Sequence, residues 1–278
     1  MSSNKEHLLM VGCGAMGSAL LQPWLDENFF ASVTVVSPHQ PPFPGVKWLT
    51  PEKVNIGDFG GQSPLPTLLC FSIKPQLFQH VITCYAPFVA AGALPISIAA
   101  GVETASIAAL LGNSSTPVVR AMPNLAARVK KSATTLWATP GVPEARKKVC
   151  ERLFALNGST TWLDNEQQFH AATALAGSGP AFLCAVWEAM LSASTLPPAM
   201  TAELTAQLWR GTLAWIEDKG GAPDAAMLSA LREAVTSTGG TTAAGLEALQ
   251  PVLPGLLKDV LDAAALRSQR LADGYKKS

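Results

Sequence analysis

Charge is scarce in this chain. Only 14% of its 278 residues are Asp, Glu, Lys or Arg, and the two signs balance at 20 each. Such a balance leaves no basic stripe for nucleic acid and no cationic face for an anionic membrane. The five cysteines (Cys13, Cys70, Cys84, Cys150 and Cys184) are odd in number, scattered and without a CxxC pair. They read as reduced intracellular thiols, not as a disulfide framework or a zinc site. The four histidines show no ligand spacing, and neither HExxH nor a Ser-His-Asp set is visible, so metal and triad chemistry find no support. The N-terminal apolar run, Leu8 to Val11, is too short for a signal h-region. No window reaches the roughly 18 apolar residues of a membrane helix. The expectation is a cytoplasmic protein that engages neither nucleic acid nor membrane.

What is abundant is apolar side chain, at 48% of the chain. That is enough for a large core and an interface besides. Leu8-Leu9-Met10-Val11 has no polar alternation, as a strand buried on both faces should not. It runs into Gly12-Cys13-Gly14-Ala15-Met16-Gly17, and a helical pattern follows to Asp26, with Pro23 inside it to kink or shorten the helix. Residues 31–36 are the second strand, after which a proline-rich stretch from Pro38 to Pro44 replaces a second helix. Further strands are expected at 68–73, 94–99, 117–120, 133–138 and 160–163, with helices over 104–111 and 143–156. Strands alternating with helices predict a doubly wound α/β domain.

After about Asn165 strand signals vanish, and residues 181–194, 201–216, 225–234, 241–249 and 255–271 read as helices. Leu204, Leu208, Gly211 and Trp215 share a face, with Trp209, Leu213 and Ile216 beside them; this stripe is too wide for a lone surface helix. Ala181, Ala185, Ala189 and Ser192 form a face of small residues that permits close approach of another helix. The predicted organisation is an α/β domain over 1–165 and an all-α domain over 166–278 that packs against a second copy.

Two stretches carry chemistry. Gly12-x-Gly14-x-x-Gly17 lies between a strand and a helix: Gly12 makes the tight turn, Gly14 admits a pyrophosphate, and Gly17 lets the helix pack on the sheet. This predicts a bound dinucleotide of the Rossmann kind, against the bare alternative of a glycine-rich turn. No Asp or Glu occurs between Glu27 and Glu52, so the carboxylate that usually holds the ribose hydroxyls of NAD is missing. Ser37 stands in its place, with His39 and Lys47 as nearby cations, and the cofactor expected is NADPH, with NADH open. Lys74-Pro75, at the end of a central strand, reads as a wall of the cofactor pocket in preference to the start of a solvated helix. Asn124, ending a later strand, is a second candidate wall or a turn residue. The other stretch is residues 235–242, with adjacent Gly239 and Gly240 before a helix opening at Thr241. Unpaired amides and the positive end of a helix dipole would seat a carboxylate or phosphate there. A helix–turn–helix joint with a Ser/Thr cap is the alternative.

The order of these blocks resembles the pyrroline-5-carboxylate reductase family. The resemblance runs through Gly12 to Gly17, residues 71–76, 96–102, 120–124 and 173–182, and the 235–246 stretch. It implies NAD(P)H-dependent reduction of the C=N bond of Δ1-pyrroline-5-carboxylate to L-proline. It also implies a homodimer through the C-terminal helices, with higher assembly open, and an active site between one subunit's cofactor domain and helices of both. Ala99, Ala100 and Gly101 would belong to the cofactor site. The substrate carboxylate would sit on the amides around Gly239, Gly240 and Thr241 with Ser237 assisting, and Thr242 would lie near the ring nitrogen. The chain departs from the family pattern in four places. Leu125-Ala126 stands where Thr-Pro is usual, Ser37-Pro38 replaces Asn-Arg, Thr238 replaces proline and Phe182 replaces tyrosine. Two rivals remain: a related imine or 3-hydroxyacid reductase, which would need a helical lysine this chain does not offer in a suitable place, and an idle cofactor-binding dimer with a regulatory role.

Overall fold

The computed structural model describes residues 5–59 and 63–276, and the chain divides into two compact units. Unit 1 comprises Met1–Ser178 and Ala263–Ser278; unit 2 is Gly179–Asp262.

Unit 1 is built on an eight-stranded sheet. The strands are β1 (Glu6–Val11), β2 (Phe30–Val36), β3 (Lys47–Leu49), β4 (Leu68–Phe71), β5 (Leu94–Ser97), β6 (Val119–Met122), β7 (Ser132–Ala138) and β8 (Gly158–Trp162). Their order is β3-β2-β1-β4-β5-β6-β7-β8. The first six run parallel, β7 turns antiparallel against β6, and β8 follows β7. The chain leaves β1 toward β2 and β3, then returns to the other side with β4. The switch point therefore lies between β1 and β4.

Successive residues of a strand point to opposite faces, and here both faces are covered. Leu8 and Met10 pack with α1 (Ala15–Asp26) and α5 (Glu144–Ala155), through Leu20, Trp24, Leu153 and Phe154. Leu9 and Val11 pack on the other side with α2 (Pro75–Ile82), α3 (Ala86–Ala90) and α4 (Thr104–Leu110), through Phe78, Phe88 and Ile107. This double burial is why β1 reads as an unbroken apolar run.

Two strand features of unit 1 were not visible in the sequence. The short edge strand β3 is one, and the reversal at β7 is the other. The fate of Pro23 is also decided here. A proline lacks the N–H that would bond the carbonyl four residues back, yet α1 continues through it to Asp26. The orphaned carbonyl belongs to Ala19, and the Asn157 side-chain amide donates to it at 3.3 Å and to Leu20 O at 3.2 Å. Asn157 is fully buried and itself donates its backbone N–H to Phe154 O.

A buried ion pair fixes the other side. Glu166 accepts from Arg120 at 2.7 Å and from the Thr104 backbone N–H and hydroxyl at 2.8 and 2.7 Å. The Arg120 guanidinium also lies 4.3 Å from the Phe169 ring centre. Phe169 belongs to α6 (Gln168–Ala172), which passes into a π-helical turn, Thr173–Gly177.

Unit 2 is helical: α7 (Gly179–Ala193), α8 (Pro198–Asp218), α9 (Ala225–Ala234), α10 (Thr241–Leu249) and the first part of α11 (Leu253–Lys276). Trp187 of α7 stacks on Trp209 of α8 with ring centres 6.0 Å apart. No residue of α7 is buried, and Leu183, Leu204, Leu208 and Leu213 are each more than half exposed. So broad an apolar surface marks an interaction face. Against the expectation that no window reaches the length of a membrane helix, the helical stretch Gln168–Ala193 is long and apolar enough to span one by length and composition. An apolar helix that packs against a partner has the same length and composition.

The Pro23–Asn157 arrangement sets a coupling. Asn157→Leu strands the Ala19 carbonyl and should cost about 1–3 kcal/mol of stability. In a Pro23→Ala background the helix regains its own donor, so the same change should cost clearly less. Chemical unfolding of the four proteins of this double-mutant cycle measures the difference; equal costs in both backgrounds would refute the coupling.

Candidate active site

A cleft of about 310 Å³ opens at the switch point, lined by residues at the C-terminal ends of the parallel strands. Ligands of open α/β sheets bind at this place. Its floor is the turn from β1 into α1. Gly12 takes φ +88°, and a Cβ there would fall 2.4 Å from Ser72 O and 2.8 Å from Ile73 Cγ2. A Cβ on Gly17 would fall 2.7 Å from Ser72 Oγ and 3.0 Å from Met10 Cε. Gly14 differs from both: nothing lies within 4 Å of its Cβ position. It caps α1 with no side-chain hydrogen bond, so the first-turn amides of Ala15, Met16 and Gly17 have no partner within the helix. Open space above Gly14, beside those amides, fits the pyrophosphate of a dinucleotide.

The walls come from other strand ends. Ser72, Ile73, Lys74 and Pro75 follow β4, Ile98, Ala99 and Ala100 follow β5, and Met122-Pro123 close β6. Lys74 caps α2, is exposed, and is the one charged side chain lining the cleft among the described residues. Lys74 and Pro75 thus line the cleft.

Other residues singled out from the sequence have different surroundings. Cys13 turns its side chain toward the core beside α1, where burial raises its thiol pKa; its hydroxyl neighbour Ser18 donates to the Cys13 carbonyl at 3.2 Å. Gly101 takes φ +74°, and a Cβ there would stand about 3.5 Å from Leu271 and Ala272 of α11, not in the cleft. Asn124 is buried and has its amide engaged at both ends: it accepts from Ala126 N at 3.1 Å and donates to Ala176 O at 2.9 Å. It acts as a turn cap that ties the end of β6 to the π-helical turn. Ser37, at the end of β2, donates its hydroxyl to His39 O and its N–H to Leu49 O, and its carbonyl accepts from Trp48 Nε1. Lys47 is drawn aside to Ser63 and the Phe59 ring, whereas His39 is exposed.

Within unit 2, α10 opens as the sequence suggests, at Thr241. Its cap is Gly240 with no side-chain hydrogen bond, which departs from a Ser/Thr-capped joint. Gly239 carries the positive φ, +69°. The Gly240 N–H is already donated to Ser237 O at 3.0 Å, so the first-turn amides that remain are those of Thr241, Thr242 and Ala243. The Ser237 hydroxyl lies over Gly240, 2.3 Å from where a Cβ would stand. Only a glycine leaves room for that hydroxyl beside the helix start.

A glycine-turn cleft at the switch point of a parallel sheet, joined in one chain to an apolar helical unit, defines an NAD(P)-dependent oxidoreductase with an assembly domain. Comparison with known proteins narrows the class. The family described as pyrroline-5-carboxylate reductase dimerisation matches residues 166–271. A pyrroline-5-carboxylate reductase from Pseudomonas aeruginosa is 35% identical over 210 residues, covering 74% of this chain and 75% of the relative. One from Haemophilus influenzae is 31% identical, covering 87% and 89%. The solved structure of a pyrroline-5-carboxylate reductase from Coxiella burnetii superposes with a TM-score of 0.84 at 26% identity, over 97% of this chain and 99% of that one. The chain belongs to the pyrroline-5-carboxylate reductase family.

Gly14 and Gly17 make separable predictions. Gly14→Ala meets no atom of the protein and should change stability by less than about 1 kcal/mol, while weakening NADPH binding by about tenfold or more. Gly17→Ala meets Ser72 and Met10 and should destabilise by about 1–3 kcal/mol. Thermal melts and fluorescence titration with NADPH on both variants check the split; a Gly14→Ala protein that binds normally would remove the pyrophosphate from this turn.

Proposed function

We propose that this protein reduces Δ1-pyrroline-5-carboxylate to L-proline, with hydride supplied by a reduced nicotinamide dinucleotide held in the unit 1 cleft. The observation that carries the reading is the α10 entry: a hydroxyl and helix-terminal amides, made accessible by two glycines, in a chain that also holds a dinucleotide cradle. The substrate has one carboxylate and one ring nitrogen, and residues 237–242 offer a partner for each.

The first-turn amides of α10 and the positive end of its dipole receive the carboxylate, with Ser237 adding a hydroxyl donor. Glycine at 239 and 240 keeps side chains out of the carboxylate's path. Thr242 sits one residue into the helix, and its hydroxyl holds the ring nitrogen by a hydrogen bond. A cyclic imine accepts hydride readily only when protonated. A threonine hydroxyl is a poor acid, so Thr242 orients the nitrogen while water delivers the proton. Alignment of the imine carbon accounts for much of the rate, on the order of 7–11 kcal/mol at most.

NADPH is the cofactor we assign first. No carboxylate near the end of β2 repels a 2′-phosphate, and exposed His39 stands beside Ser37. Because the Ser37 hydroxyl already donates to His39 O, its contribution is limited to accepting a bond from a ribose hydroxyl. NADH therefore remains a substrate, at lower efficiency.

The exposed apolar surface of unit 2 supports a homodimer through the 166–278 helices. A reducing, cytoplasmic setting goes with the five free thiols.

Absorbance at the reduced-nicotinamide band tests the reaction directly. Purified protein should oxidise NADPH faster than NADH on addition of pyrroline-5-carboxylate. Thr242→Ala should lower kcat by up to about a hundredfold, and Gly240→Val, which displaces Ser237, should act mainly by raising KM. Folded dimer that turns over with neither cofactor would overturn the assignment and favour the regulatory reading.

Thiol alkylation tests the assembly. Cys84 is exposed on unit 1 and should react at once. Cys70 and Cys150 are fully buried, with thiols pushed up to about 12 by desolvation, and should react only on unfolding. Cys184 is exposed on α7 of the single chain, so slow labelling that speeds up on dilution is the expected sign of a dimer through this face. Labelling as fast as that of Cys84 at all concentrations would place the interface elsewhere.

A further inference from the structure

Beside the cofactor cleft lies a second cavity of about 530 Å³, entirely within unit 1. The two share Pro75 and Ala100 as a dividing wall. One side of the second cavity is α11, which contributes Arg267, Arg270 and Leu271. The opposite side is α2, which contributes Gln76, Gln79 and His80.

Arg267 and Arg270 are three residues apart and share one face of α11. A guanidinium carries five N–H donors and no acceptor, and two like charges at this spacing repel. An acid between them would relieve the repulsion, but no Asp or Glu lines the cavity among the described residues. Asp262 pairs with Lys258 further back on the helix, and Asp273 forms no ion pair with either arginine among the described residues. On the facing wall Gln76, Gln79 and His80 fall at i, i+3 and i+4, so their amide and imidazole groups share a face of α2. The apolar part of the lining comes from Leu271, Pro75 and Ala100. Gly101, with its positive φ, brings the β5 turn close to Leu271 without a side chain between them. The volume falls within the range of small-molecule sites, roughly 300–1,000 Å³.

We propose that this cavity is a second binding site, separate from the dinucleotide cleft, for a phosphate monoester. Its dianion bridges Arg267 and Arg270, and its organic body rests on Leu271, Pro75 and Ala100. A phosphate dianion presents three acceptor oxygens to two forked donors; a single carboxylate satisfies only one fork.

Calorimetric titration of the intact protein, saturated with NADP⁺ so that the pyrophosphate cradle is filled, tests the site without turnover. Its failure would thus leave the proposed reaction untouched. Phenyl phosphate should bind saturably, one per chain, and more tightly than inorganic phosphate because of the apolar wall. Arg267→Gln/Arg270→Gln should weaken that binding by about tenfold or more, and Arg270→Lys should weaken it less. NADPH turnover in phosphate-free buffer should match wild type in both variants, which shows that they are folded. The proposal is overturned if phenyl phosphate gives no saturable heat, if the double variant binds it as well as wild type, or if succinate binds and phosphate does not.

Discussion

The switch-point cleft depends on the closeness of two stretches of backbone. The turn after β1 passes so near the end of β4 that any side chain at residue 12 would overlap the Ser72 carbonyl. That approach places the first turn of α1 over the gap where the sheet changes direction. Ser72 then meets the same helix again at Gly17, fixing its tilt. The cleft walls, from Lys74 to Pro123, are consequences of parallel strands ending level with this turn. The reactive geometry of unit 1 is a property of backbone and glycine more than of any polar side chain.

The chemistry assigned to the two units is complementary and equally spare. Unit 1 presents helix-terminal amides suited to a polyanion, and the α10 entry in unit 2 offers the same device on a smaller scale. In both, a glycine replaces the Ser, Thr, Asp or Asn that normally caps a helix. A side-chain cap would occupy the amides that a ligand requires. An uncapped start, which α1 and α10 share with α2, α4, α5 and α8, lowers a helix's own stability, which in unit 1 the buried network of Arg120, Glu166 and Thr104 and the double-sided sheet core can offset.

Much of this was legible in the sequence, for physical reasons. Residues 8–11 lack alternation because both sheet faces are covered. The glycine spacing has meaning because a strand precedes it and a helix follows. The wide stripe around Leu204 and Leu208 signals a surface that the single chain leaves uncovered. The rest depends on partners distant in sequence. Whether Pro23 ends its helix is decided by Asn157, more than a hundred residues later. Lys47 to Leu49 form only three residues of half-exposed edge strand, below the length at which a period can be read. Nothing in the composition of β7 specifies its direction. Gly101 and Asn124 lie in motif blocks, but the facing of one and the bonding of the other are set by α11 and the π-helical turn.

The uncovered leucines of unit 2 carry a consequence for how this protein fails. A second copy seated on this surface, as proposed above, would protect the native state by mass action, so a more concentrated solution should resist the onset of heat inactivation. Once chains separate, the same surface becomes adhesive, and concentration then accelerates aggregation. Durability is therefore governed by the rate of dissociation, and the heat dose that the protein survives is a kinetic quantity, not a melting temperature.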